Sequence, residues 1–264
     1  MDVSVIKKYL MSYGDYVKAK PKIPFIFKIK KGDKWLYYFG AKHTYDFNDS
    51  QFETLKNTWD EFIDVSKEPR IALVEGGVRQ VQKNEKAAIL EDGEAGLLEF
   101  LAHNENITIS SPEPTRKDET QDLESEFSNE EIEYYYFARM VDQWSRLEKK
   151  PDFGQYINEI LIMDAKESGW KNFDFSLNNM KLIHKKIFKR KFDENDKEFF
   201  HAITNPTLSS TPINRYSQTK GVYRDAYIIK EVIKHINSGK NVFCVFGFTH
   251  AIMQFPAYRK LIKS

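Results

Sequence analysis

One cysteine, Cys244, is all that a chain of 264 residues contains. It cannot form an intramolecular disulfide, so a reducing compartment is the expected setting, and inside the apolar run 242–246 it reads as a small core residue. Long apolar stretches are missing too. Nothing approaches the roughly 20 residues needed to cross a bilayer, and the segment Met1-Asp2-Val3-Ser4-Val5-Ile6-Lys7-Lys8 lacks the apolar core of a secretory leader. Nor is there an excess of either charge: 40 basic and 39 acidic residues leave a net charge of +1. That balance supplies no global attraction for nucleic acid or an anionic membrane. The expectation is a cytoplasmic protein whose partner is a small-molecule or peptide substrate, with neither nucleic acid nor a membrane involved. Between Pro114 and about Phe200 the chain also shows no Gly-rich phosphate loop, no paired cysteines and no internal repeat.

What is present is an α/β rhythm. A chain of this length buries roughly 70–75% of its unfolded surface, enough for one sizeable core. Phe25–Ile29 and Trp35–Phe39 flank the turn Lys31-Gly32-Asp33-Lys34 and predict a hairpin. Arg70–Val74, Ile107–Ser110 and Val242–Phe246 are further short apolar runs of buried-strand character. Phe52, Leu55, Trp59, Phe62 and Ile63 recur at helical spacing within 49–67, with Asp49 or Ser50 as cap. Ala87–His103 is a second predicted helix, weakened by Gly93 and Gly96. Alternating strands and helices predict a central mixed, largely parallel sheet with flanking helices and an N-terminal β-hairpin.

In the middle the character changes, and residues 115–204 read as a helix-rich insertion within a single α/β domain spanning 1–264. Acidic residues crowd 118–133 and basic ones crowd 181–191; such runs are usually solvated faces, and these two can attract one another across the insertion. Tyr134-Tyr135-Tyr136-Phe137, with Met140, Val141 and Trp144, reads as helix core. Asn205–Gly221, with Pro206, Pro212 and several hydroxyl residues, reads as a long loop of the kind that forms lids. A helix from about Gly221 to Asn237 then puts Arg224 in its first turn, where a cation opposes the helix dipole at about 0.3–1 kcal/mol. Asp225 either compensates that charge or leaves Arg224 to face a carboxylate or substrate. His103, His184, His201 and His235 are expected at the surface.

Two turns share one form. Gly40-Ala41-Lys42-His43 and Gly247-Phe248-Thr249-His250 each follow a predicted strand, so each histidine falls at a carboxyl strand end, the edge where open α/β sheets bind ligands. Glu75, in Glu75-Gly76-Gly77, shares that edge, and Glu113 lies near it. Two imidazoles and a carboxylate can hold a divalent metal that activates water. Alternatively, one histidine bonded to Glu75 is a general base, with Arg224 stabilising the oxyanion. His250 lies near the start of the last helix, with Thr249 as its cap, and the dipole there disfavours its protonation.

The stretch Phe25–His43 resembles the opening of the TraB/Tiki family, a hairpin ending in Gly-x-x-His. That family belongs with the erythromycin esterase-like and ChaN-like proteins, whose pattern is an early His, a Glu at the next strand end, a late Arg and a final Gly-x-x-His. His43, Glu75, Arg224 and His250 match it in order. The resemblance implies that these four converge in one cleft as catalytic residues; Glu113, Tyr45 and Asp225 are expected on the substrate side. His43, Glu75 and His250 would be the ligands if a divalent metal (Zn, Mn or Co) is used. Tiki-like members resemble metal-dependent proteases, the esterase branch opens a macrolide lactone with a His base, and ChaN-like members bind haem. The expected function is therefore a hydrolase of an ester or amide bond, with or without a metal; the alternative is a non-catalytic, haem-binding protein using the same cleft.

Overall fold

The computed structural model describes residues 2–263 and resolves them into two compact units, 1–113 with 223–264, and 114–222. The first unit holds the five strands β1 (Phe25–Lys31), β2 (Lys34–Ala41), β3 (Arg70–Val74), β4 (Thr108–Ser110) and β5 (Asn241–Gly247). They form one sheet in the order β1-β2-β5-β3-β4, in which only the β1–β2 hairpin is antiparallel. Its helices are α1 (Val3–Lys7), α2 (Tyr13–Lys18), α3 (Ser50–Val65) and α4 (Glu85–Asn104). The second unit contributes α5 (Arg116–Leu123), α6 (Asn129–Ser145), α7 (Phe153–Ser168), α8 (Leu177–Phe188) and α9 (Lys197–Thr204). α10 (Pro212–Asn237) begins in the second unit and belongs to the first from Tyr223 onward, and α11 (Phe248–Lys263) follows β5.

Continuous apolar strands arise because both sheet faces are covered, as parallel sheets require. Leu36, Tyr38, Ile71, Leu73, Val242, Cys244 and Phe246 pack with α10 and α11 on one face. Tyr37, Phe39, Ala72, Val74, Phe243 and Val245 alternate onto the other, against α3 and α4. Each strand's period of two therefore feeds two cores at once. Asp49 caps α3 by accepting from the Gln51 N–H, as expected. Cys244 is buried.

In the second unit Tyr134, Phe137, Val141 and Trp144 are core residues of α6. The opposed charge runs do meet: Lys186 pairs with Glu130 at 2.5 Å. Capping boxes start α5 at Thr115–Asp118 and α6 at Ser128–Glu131, each satisfying two terminal N–H groups. Among the described residues no helix is long and apolar enough to cross a membrane.

Three expectations fail here. Asn205–Gly221 is a loop only as far as Thr211; helix begins at Pro212, a residue whose fixed φ suits the first helical position. Thr211 and Asn214 cap that start reciprocally, and the Asn214 amide reaches back to the carbonyls of Ala202, Ile203 and Asn205 at 2.8–3.0 Å. One buried asparagine thus joins the end of α9 to the start of α10, a tertiary arrangement that turn-forming composition disguises. It follows that Arg224 lies mid-helix, so the dipole penalty expected for a first-turn cation does not apply. His184 is buried rather than superficial, its Nδ1 2.6 Å from the Tyr134 hydroxyl among phenylalanine rings; burial lowers its pKa and favours the neutral ring.

Candidate active site

The four parallel strands of the sheet end side by side. Past β2 comes His43, past β5 comes His250 in the first turn of α11, past β3 comes Glu75, and past β4 comes Glu113. Parallel pairing aligns these carboxyl ends: Ala41 registers with Gly247, and the Glu75 N–H donates to the Val245 carbonyl at 3.2 Å. Residues separated by up to 207 positions in sequence are brought together by strand register alone.

Both motif glycines are required by close approach rather than by backbone angle. A Cβ at Gly40 would lie 2.5 Å from the Ala251 Cβ and 2.9 Å from the Phe25 carbonyl, where β2 meets α11. A Cβ at Gly247 would lie 2.7 Å from His43 Nε2 and 3.3 Å from Glu75 Oε2. The first glycine lets the elements pack, and the second leaves the space into which the His43 ring points.

Glu75 sits between the imidazoles. Its Oε2 is 3.9 Å from His43 Nε2 and accepts the Gly247 N–H at 2.7 Å, while its Oε1 is 3.5 Å from His250 Nε2 and accepts Arg224 Nη2 at 2.9 Å. Burial opposes ionisation of Glu75; with His250 charged, that ring, Arg224 and the Gly247 N–H outweigh burial and hold the carboxyl well below the usual carboxylate range, and with His250 neutral Arg224 and the Gly247 N–H remain to favour the carboxylate. Each histidine also has a carboxylate on Nδ1, Glu94 for His43 and Asp225 for His250, the latter at 2.6 Å. Asp225 Oδ1 in turn accepts Gln254 Nε2 at 2.7 Å, and Gln254 Oε1 accepts the Tyr38 hydroxyl at 3.0 Å.

The two rings differ at Nε2. The His43 side chain is 64% exposed, and among the described residues its Nε2 makes no hydrogen bond, Glu75 lying 3.9 Å away; the bond to Glu94 raises its pKa against the opposing effect of burial. His250 is largely buried, with Arg224 Nη1 2.8 Å from its Nε2. Burial lowers the His250 pKa, but Asp225 and Glu75 outweigh it and pull it up to about 9. The Arg224 contact contradicts a charged ring, because a guanidinium does not release its proton and Nε2 must then keep its lone pair. The contact decides while it stands: His250 is neutral, donating through Nδ1 to Asp225. A ring freed from Arg224 would take up a proton.

Arg224 is the hub. Its Nε donates to Glu113 Oε1 at 2.8 Å, its Nη2 to both Glu113 and Glu75, and its Nη1 to His250, leaving one Nη1 hydrogen. Glu113 is completed by the Gly76 N–H at 2.7 Å. These engagements decide how the donor set suits a metal. The one lone pair of His250 Nε2 that a cation would need is occupied by the Arg224 guanidinium, whose own positive charge lies 2.9 Å from Glu75, so the residues as arranged do not fit a divalent ion. Among the described residues no group of three or more His, Cys, Asp or Glu side chains has a metal-ligating arrangement.

His43, Glu75, Glu113, Arg224, Asp225 and His250 are thus brought together. Asp225 and Glu113 are side chains that hold His250 and Arg224; Asp225 is 1% exposed and has no face for a substrate. Tyr45 is exposed, with its ring 3.8 Å from the Cβ position of Gly93. Thr249 lies inside α11 and its hydroxyl pairs with Tyr16 at 3.0 Å instead of capping the helix. Glu94 escaped the sequence reading. The signal for it was Gly93, a glycine inside a helical pattern, which marks a break rather than a weak helix. No family model, curated protein or solved structure matches this chain.

Proposed function

We propose that this chain is a hydrolase of the TraB/Tiki and erythromycin esterase-like type that cleaves an ester or amide bond without a metal, using His43 as general base. The observation that carries the reading is the unequal state of the two imidazoles: His250 has both nitrogens engaged, whereas His43 presents an open Nε2 beside Glu75 at the crevice. A general base must reach its proton directly, and only His43 offers that geometry.

Water bound between His43 Nε2 and the substrate carbonyl gives a proton to Nε2 as its oxygen bonds to the carbonyl carbon. The carbonyl oxygen becomes an oxyanion, and the remaining Nη1 hydrogen of Arg224 is its donor. The imidazolium formed at His43 is charge-balanced by Glu75, which is held ionised. Collapse of the tetrahedral intermediate breaks the bond to the leaving group, which takes the proton from His43 and restores the base. Arg224, Glu113, His250 and Asp225 hold Glu75 in place, so that the charged partner of the base is fixed before substrate arrives.

The test is hydrolysis of p-nitrophenyl acetate, p-nitrophenyl butyrate and aminoacyl p-nitroanilides by the full chain and by His43→Ala. Turnover by the wild type, lost in a variant that still unfolds cooperatively, supports the reading. Equal rates for the two proteins on every probe would sink it.

A further inference from the structure

We infer that Glu94 is the positioning residue of His43, fixing the imidazole proton on Nδ1 and so leaving the lone pair on Nε2, the atom that faces Glu75 and solvent. The role of Nε2 in chemistry rests on the hydrolase reading; the placement of the proton does not.

Which nitrogen of a neutral histidine carries the proton is set by the bond the other ring atom makes. His43 makes one such bond, from Nδ1 to Glu94. Glu94 is 6% exposed and so cannot swing away into solvent as a surface glutamate would. The backbone that delivers it is unusual. Gly93 has φ 60° and ψ −137° in the middle of α4, a conformation closed to residues with a Cβ, and it breaks the helix one residue before Glu94. A Cβ at Gly93 would also meet the Thr44 carbonyl at 2.9 Å. Thr44 follows His43, so the break and the histidine loop are fitted to each other, and the helix interruption brings a buried carboxylate onto that ring.

The second imidazole repeats the arrangement, with Asp225 on Nδ1 of His250. There Arg224 closes Nε2; at His43 nothing does. Two rings oriented by the same device therefore end with one open lone pair. Such outer partners of a functional histidine act by fixing tautomer and ring orientation, and their loss costs about 10–100-fold in function in metal sites, the closest measured analogue.

The test reads the proton directly. Full-length protein labelled with ¹⁵N-histidine, observed by long-range ¹H–¹⁵N correlation above the His43 pKa, should show His43 protonated on Nδ1. In Glu94→Ala the proton should move to Nε2 in most molecules, and kcat for p-nitrophenyl acetate should fall about 10–100-fold with KM within about twofold. Gly93→Ala, which shifts Glu94 without removing it, should give the same tautomer change and covers the case in which Glu94→Ala does not fold. A wild-type ring protonated on Nε2, or a tautomer unchanged in both variants, overturns the inference. If the wild type hydrolyses nothing while the tautomer moves as described, the hydrolase reading falls and the assignment of Glu94 stands.

Discussion

Each unit gathers buried carboxylates around one arginine, and the two clusters are finished differently. In the first, Arg224 binds Glu75, Glu113 and His250, and every one of these acids has a second donor, from Gly247 or Gly76. In the second, Arg116 binds Glu133 at 2.7 Å and Asp164, with its guanidinium 3.8 Å from the centre of the Tyr136 ring. There Glu133 Oε1, Asp164 Oδ2 and Arg116 Nε are buried without a partner. Burial raises the pKa of both acids against the opposing charge of Arg116. The sheet edge supplies backbone N–H groups that let two acids, Glu75 and Glu113, persist together at a crevice. A helical interior has its N–H groups committed to the helix, so burial instead pushes its acids towards the neutral form. A dense charge cluster is therefore a site only where something is left open to solvent.

The largest effect should come from the sealed cluster. Arg116→Met leaves two buried acids facing each other and should cost about 3–5 kcal/mol at pH 7 in chemical denaturation. Arg224→Met should cost less, because its side chain is more exposed, 22% against 13%, and a freed His250 can take a proton. Equal losses would break the comparison. Close behind is His43→Ala, expected to lower hydrolysis about a thousandfold, within the range for a general base. Its stability should fall by about 1–3 kcal/mol, because the buried Glu94 carboxylate loses its partner, and the variant should still be folded.

The two motif glycines should separate by kind. Gly40→Ala pushes a methyl into backbone and should cost about 1–3 kcal/mol. Gly247→Ala meets the movable end of His43, so activity should fall while the melting temperature barely changes. Smaller still is a pH effect. A carboxyl whose pKa is raised by folding stabilises fully below its unfolded pKa and loses that contribution as pH rises through the folded one. Unfolding free energy should therefore decline upward from about pH 4, by no more than about 1.4 kcal/mol per pH unit for one proton, and Glu133→Gln should flatten the decline. The smallest expected effect is none: dialysis against a chelator should leave p-nitrophenyl acetate hydrolysis unchanged, since Arg224 occupies the donors a metal would use.

Strand positions were legible because apolar runs bounded by turn residues survive any tertiary context. Five strands fell within two residues of where the pattern put them, and with them the edge that carries His43, Glu75 and His250. The middle was less legible. Asn205–Gly221 has the composition of a loop, yet Ile213 and Tyr216 are buried and Asn214 ties α10 to α9. His184 sits in a lysine-rich segment, but helical periodicity turns it inward while its charged neighbours stay out.

By itself, then, the sequence determined the alternation of strands and helices, the covering of both sheet faces, and the order in which two histidines, a glutamate and an arginine reach one edge. Those follow from local hydrophobic period and turn chemistry. Which carboxylate meets which imidazole was decided only by the tertiary structure. Glu94 reaches His43 across 51 residues through a break at Gly93, and Asp225 reaches His250 from mid-helix. Contacts of that kind depend on ångström-scale placement of packed elements, for which no spacing along the chain is a measure.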